Sequence, residues 1–288
     1  MKNLVVRTIT GAIFVALVVA SLFLPPCYFY VLFLTLTLVG TWEFIKLSQH
    51  TETETQLILP LLLSATLFTA LYLWANAVAS VALFATLLVL VLAFLVPIVE
   101  MYRNKPHAVR NVVSSLFPAL WIALPLGLTG FWLTNFQAAN LVLAMLIVIW
   151  AFDSLAYCAG SIFGKHPLFE RISPKKSWEG TLISLFLTMV LSTLFFFSVS
   201  WSQNPESSLF YSDVFTTPWH WMGFALVIIV ASSYGDLVES MFKRNAQIKD
   251  SGKILPGHGG VLDRLDSLFF AAPFAFIYWI VFYSLNFN

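Results

Sequence analysis

Charge is scarce in this chain: Asp, Glu, Lys and Arg make up 10% of its 288 residues, against 59% hydrophobic ones. Long apolar runs are therefore rarely interrupted, and the class is that of a polytopic helical membrane protein. Strict alternation of apolar and polar residues is also missing, which excludes a lipid-facing β-barrel. Cysteine is nearly absent. Cys27 and Cys158, the only two, fall at different predicted depths, so neither a disulfide nor a thiolate metal site is expected. Basic residues are dispersed among short loops, which leaves nucleic-acid binding without support. The net charge of +1 is uninformative about partners, because its components are sorted across the membrane. No strong internal repeat is visible.

What is present is a series of apolar stretches at residues 4–24, 28–47, 56–75, 77–101, 111–134, 138–163, 178–201, 218–242 and 262–286. Each is near the roughly 20 residues that span about 30 Å of hydrocarbon. The expected fold is all-α, a bundle of about nine transmembrane helices. The first stretch is read as a span and not as a cleaved signal peptide, since Ser21–Cys27 lacks small residues at a cleavage position. With nine spans, all 15 Lys and Arg residues fall on the side of the N-terminus, so the positive-inside rule makes that side cytoplasmic. The opposite loops, around Pro25, Asn76, Asn135 and the longer Ser202–Pro218 with Glu206 and Asp213, carry no basic residue. Residues 1–135 read as about five mainly scaffolding spans. Residues 136–288, where polar and small residues intrude into about four spans, read as the catalytic part.

Three constellations in that second part carry chemistry. Asp153, Tyr157, Gly160 and Gly164 follow a helical spacing and share one face. An ionised Asp inside a span costs about 2.5–3.5 kcal/mol on insertion scales, so Asp153 should face a cavity, a cation or a partner. The plainer alternative is a packing stripe with Asp153 paired to a lysine. The second constellation is SPKKSWEG, from Ser173 to Gly180. Ser177 is placed to cap the seventh span, and Lys175 and Lys176 stand just before its positive end, an arrangement suited to a polyphosphate. Ordinary positive-inside flanking lysines are the alternative there.

The third runs from Asp236 to Ser267, dense in charge between two apolar segments. Asp236, Ser240 and Lys243 line one helix face. Asp263 and Asp266 open the last span with Arg264 beside them. The connecting KDSGKILPGHGG carries Gly252, Gly257, Gly259 and Gly260, which let backbone N–H groups approach an anion. Carboxylates from two helices beside a glycine loop and several cations suggest a hard divalent ion, Mg²⁺, bridging to phosphate oxygens.

These residues resemble the phosphatidate cytidylyltransferases, or CDP-diacylglycerol synthases. The C-terminal signature of that family, S-x-x-K-R-x4-K-D-x-G-x2-L-P-G-H-G-G-x-x-D-R-x-D, is matched from Ser240 through Lys243, Arg244, Lys249, Asp250, Gly252, Leu255, Pro256, Gly257, His258, Gly259, Gly260, Asp263 and Arg264 to Asp266. The resemblance implies transfer of CMP from CTP to phosphatidate at the cytoplasmic face of the bacterial inner membrane. Asp236 and Asp263 would bind Mg²⁺, with Asp266 as a further ligand or a support behind them, and a second cation, monovalent or divalent, is left open. Lys175, Lys176, Lys243 and Arg244 would hold the triphosphate or the phosphatidate head group, and Arg264 would orient the carboxylates. Lys249 and Asp250 would contact the nucleotide, Ser173, Ser177 and Ser240 would supply hydroxyls, and Gly259 and Gly260 would approach the phosphates. Asp153 is counted among the substrate-binding residues. His258 is either a phosphate contact or structural. The partners are CTP, phosphatidate and the bilayer, with a homodimer left open.

Two other readings compete. A CTP-dependent polyprenol-type lipid kinase would use similar cations, but it must deprotonate a hydroxyl acceptor and so needs a positioned base. A transporter would spread its polar residues through paired spans at mid-membrane depth. Here they cluster at one face of the last four spans.

Overall fold

A computed structural model of the protein describes residues 2–76, 79–136, 138–200, 212–257 and 259–287. Among the described residues there are nine helices and one short hairpin. In chain order they are α1 (Lys2–Phe23), α2 (Pro26–Gln49), α3 (Ile58–Asn76), α4 (Ala79–Arg103), α5 (Ala108–Asn135), α6 (Ala139–Phe163), β1 (Pro167–Phe169), β2 (Ser173–Ser177), α7 (Trp178–Ser200), α8 (Pro218–Asn245) and α9 (Leu262–Phe287). The class is all-α, as the apolar runs predict, and each run coincides with one helix to within a few residues. Eight of the helices are long and apolar enough to cross a membrane, α3 being the shorter one. On α4, Leu83, Phe84, Leu87, Val91 and Phe94 are exposed. So large an apolar surface suits hydrocarbon and not water. The protein is an integral membrane protein. His258 and most of the Ser202–Pro218 loop, Glu206 included, lie outside the described residues.

The chain forms two compact units, Met1–Gln137 with Met241–Phe269, and Ala138–Ser240 with Phe270–Asn288. The divisions fall inside α8 and α9.

In the first unit α3 packs against α4 and α5, while α2 lies against α3 and α5. Within α5, Leu124 N–H reaches back to Ala119 O across a π-turn at Ala119–Ala123. Pro125, next in the chain, has no N–H to continue the ordinary ladder, which explains the wider turn there. Trp121 in this turn joins an aromatic cluster with Phe44, Phe117, Phe242 and Phe269, their rings 5.1–6.1 Å apart and mostly edge to face. Such pairs add about 0.5–1.5 kcal/mol each beyond area burial. The cluster fixes the last turn of α8 and the first turns of α9 on α2 and α5. A separate buried polar network surrounds Glu100. Its carboxylate accepts from Gln56 Nε2 at 3.0 Å, Asn111 Nδ2 at 2.7 Å and Arg103 at 2.6 Å.

In the second unit α6 lies along α7, with the hairpin folded between their facing ends. The sequence has no alternation long enough to announce β1 and β2, and Ser173–Ser177, expected as the approach to a helix, is an antiparallel strand paired with Pro167–Phe169. At the other end of this unit Phe195, Phe215, Trp221, Phe224 and Tyr278 interlock. Ser192 Oγ donates to Trp221 O at 2.6 Å and Tyr278 OH to His220 O at 3.2 Å, which satisfies polar groups that hydrocarbon would leave unpaired.

Candidate active site

The second unit brings two of the three constellations together. Where α6 meets α7, Gly180 sits so close to Gly160 that a Cβ added to it would stand 2.8 Å from Gly160 Cα. This contact, permitted by the absence of side chains on both residues, sets the hairpin against α6. Ser177 Oγ accepts the Gly180 N–H at 3.2 Å, the N-cap that the sequence predicts. Glu179 turns back: its Oε2 accepts the Lys165 and His166 backbone N–H groups at 3.1 and 3.2 Å, and its Oε1 meets His166 Nδ1 at 2.5 Å. A cavity of about 200 Å³ opens here, lined by Gly164, Lys165, His166, Lys175, Lys176 and Ser177 among others. Three of those residues are lysines. Ser173 begins β2, half-buried.

From the same strand Lys176 Nζ reaches Asp236 Oδ2 on α8 at 2.5 Å, with both side chains roughly 30% exposed. Ser240, one turn on, donates to Asp236 Oδ1 at 3.3 Å. Asp153 and Tyr157 are exposed on α6, while Gly160 and Gly164 of the same stripe face Ser177. The stripe thus divides into an open upper part and a packed lower part.

The signature loop belongs to the first unit. Lys243 Nζ, on the last turns of α8, lies 2.7 Å from Asp263 Oδ1 in a pair that is 13% and 8% exposed. The other oxygen of Asp263 accepts three donors: Ser251 N at 2.9 Å, Ser251 Oγ at 2.9 Å and Gly260 N at 2.8 Å. The carboxylate is therefore rigidly oriented. Gly257 and Gly259 have φ of +76° and +85°, the left-handed region where glycine is at ease. They close a turn in which Leu255 N–H bonds Gly259 O at 3.0 Å. Lys249, Asp250, Arg244 and Arg264 are exposed around it. Asp266 is half-buried and its Oδ1 accepts the Ser267 N–H at 2.7 Å.

Sequence reasoning missed the contribution of the first helices to this loop. Thr10 Oγ1 donates to Pro256 O at 3.1 Å, and Arg7 packs on Gly257. Glu43, fully buried on α2, accepts the Leu262 N–H at 2.9 Å. A signal for it exists in the sequence: an acidic residue within an apolar span is costly enough to ask for a reason. The cost that singles out Asp153 applies equally to Glu43.

Whether these side chains suit magnesium follows from their donors. No group of three or more His, Cys, Asp or Glu able to hold a metal ion occurs among the described residues. An ion held wholly by protein is not provided for among them. Mg²⁺, however, keeps several waters and commonly binds through one or two carboxylates plus substrate phosphates. Asp236 Oδ2 and Asp263 Oδ1 each face an ammonium group, a place where a hard cation satisfies the same oxygen. Lysine, on its flexible stem, can turn to a phosphate instead. The residues fit Mg²⁺ in that mode.

The chain matches the cytidylyltransferase family over residues 5–282. It is 31% identical to the phosphatidate cytidylyltransferase of Haemophilus influenzae across 96% of this chain and 98% of that protein. It is 36% identical to the enzyme of the same name from Staphylococcus aureus over 51% of this chain and 52% of that protein. The same identity holds for the one from Mycobacterium tuberculosis over 59% and 47%. Matched along nearly its whole length, the chain belongs to the cytidylyltransferase family.

Proposed function

We propose that this protein transfers CMP from CTP to phosphatidate, giving CDP-diacylglycerol and pyrophosphate at the cytoplasmic face of the inner membrane. The observation that carries the reading is that each of two motif aspartates is held against a motif lysine, Lys176 on Asp236 and Lys243 on Asp263. Paired cations and carboxylates are what a polyphosphate with its metal exchanges into. The names of the relatives supply the substrates. The sorting of all 15 Lys and Arg residues to one side supports the orientation.

The reaction is a displacement at phosphorus. An oxygen of the lipid phosphate forms a bond to the α-phosphorus of CTP, and the bond from that phosphorus to the bridging oxygen breaks, so the electron pair leaves on pyrophosphate. The nucleophile is already an anion and no strong base is required. The barrier is repulsion between two anions together with the charge gathering on the leaving group. Lys175 and Lys176, in the small cavity beside Ser177, and Lys243 with Arg244 are the cations that offset it. Asp236 and Asp263 are the carboxylates that would serve Mg²⁺, and the ion would neutralise phosphate oxygens when bound. Asp263, fixed by three donors on Oδ2, would present Oδ1 once Lys243 turns from it to a phosphate. Ser240 orients Asp236.

Purified protein incubated with phosphatidate and CTP labelled at the α-phosphate should yield lipid-bound label only with Mg²⁺. Label from the γ-phosphate in the lipid would identify a kinase and overturn the proposal.

A further inference from the structure

The geometry points to Glu43 as a positioning residue for Asp263, so that a glutamate on the second helix sets the catalytic competence of a loop more than 200 residues away. The inference rests on the role of Asp263 proposed above. Glu43 is completely buried near the end of α2, where an acidic side chain costs enough to require a use. Its Oε2 accepts the N–H of Leu262 at 2.9 Å. Leu262 is the first residue of α9, and the first N–H groups of a helix have no partner within it. Glu43 therefore caps α9 from another helix, with a carboxyl oxygen at the positive end of the helix dipole.

The cap and Asp263 share one frame. Asp263 follows Leu262 directly, and its Oδ2 is bonded to Ser251 and Gly260. Gly252 and Gly260 are the places where the loop passes over Glu43. A Cβ on Gly252 would run into Glu43 Oε1, and one on Gly260 would run into Ser251 Oγ and stand 2.5 Å from Glu43 Oε2. Glycine at these two signature positions leaves room for the Glu43 carboxylate and, at Gly260, for Ser251. The two carboxylates hold the same stretch of the loop. Release of Glu43 would let Gly260 and Leu262 move, and Asp263 Oδ1 would move with them. Misplacement of about 1 Å at a reacting centre costs up to about 100-fold in rate.

The test uses the full-length protein in detergent, with Glu43→Gln, Glu43→Asp and Gly252→Ala. Glu43→Gln should lower kcat about tenfold or more while the KM for CTP changes less than about threefold. Amide hydrogen exchange over residues 251–257 and 259–262 should rise, with the rest of the protein unchanged. Glu43→Asp, which keeps the carboxyl group, should recover part of kcat. Gly252→Ala retains Glu43 but displaces its carboxylate, and it should show the same kcat-weighted loss if Glu43→Gln does not fold. A kcat within about twofold of wild type in either variant, or unchanged exchange in the loop, overturns the inference. Asp263→Asn separates the two ideas: if that variant keeps near-normal turnover the proposed role of Asp263 fails, whereas if its activity is largely lost and Glu43→Gln turns over normally, only the role of Glu43 fails.

Discussion

Lys176 Nζ lies 2.5 Å from Asp236 Oδ2, which joins the strand before α7 to a carboxylate on α8. Both side chains keep some access to water, so the pair is available to substrate and is not a core salt bridge. Lys176→Met and Asp236→Asn should each lower kcat/KM for CTP by about 100-fold or more, the scale of losing one charge-stabilising contact. The double variant should be little worse than either single one, because the two groups act as a unit. Steady-state assays of CDP-diacylglycerol formation check this, and simple addition of the two losses would show that the residues act separately.

The pair of Lys243 with Asp263 is deeper and should behave differently. Removal of one partner from a buried pair costs about 3–5 kcal/mol, because the other charge is left uncompensated. Lys243→Met alone should therefore reduce thermal stability as well as turnover. Adding Asp263→Asn should restore much of the stability and none of the activity. A double variant as unstable as the single one would mean that the pair is not what holds the loop.

The magnesium assignment predicts that chelation abolishes turnover and that added Mg²⁺ restores it. In Asp263→Asn, residual activity should need a higher Mg²⁺ concentration, read from activation curves at fixed CTP. An unchanged half-saturating concentration would remove Asp263 from the metal's ligands.

Much of this arrangement is legible in the amino-acid sequence. Apolar run length is a direct consequence of bilayer thickness, and so the helices from Val6–Phe23 to Leu262–Leu285 can be placed by counting. The signature residues are legible because their chemistry is unusual beside a membrane. The hairpin of Pro167–Phe169 with Ser173–Ser177 is not, since strands this short carry too little periodicity to read. Nor is the partner of each lysine, because Lys176–Asp236 and Lys243–Asp263 span 60 and 20 residues of sequence and spacing rules reach only one or two turns. Glu43 is legible only in part: its place in an apolar span asks for a reason, but a lone acid in TWEFIKL has no pattern that names its partner.

The contact of Gly160 with Gly180 makes an ordered prediction. A Cβ on Gly180 would stand 2.8 Å from Gly160 Cα and 2.9 Å from its N, backbone atoms that cannot yield, whereas a Cβ on Gly160 would meet Ser177 Oγ at 3.3 Å. Gly180→Ala should force α6 and α7 apart, lower the thermal midpoint and reduce activity through the displaced hairpin. Gly160→Ala should be milder in both. Equal effects would mean that the helices separate more easily than their packing suggests.

Glu100 provides the control for Glu43. It too is a buried glutamate in an apolar helix, with 2% of its surface exposed, and it is bonded to Gln56, Asn111 and Arg103. Its partners tie the end of α4 to the α2–α3 connection and α5, and none of the signature residues is among them. Glu100→Ala would leave Arg103 without its carboxylate and two amides without an acceptor, a loss of about 3–5 kcal/mol by the measure of broken buried networks. That loss should appear in the thermal midpoint and in the yield of folded protein. The kcat of the folded fraction should remain within about twofold of wild type, because nothing in this network leads to Asp263. The contrast separates burial from function: of two buried glutamates, only the one that grips the signature loop should change the rate of the folded enzyme. A large fall in kcat for Glu100→Ala at full folding would show that the first unit transmits strain to the loop generally, and that the effect of Glu43 cannot be assigned to its bond with Leu262.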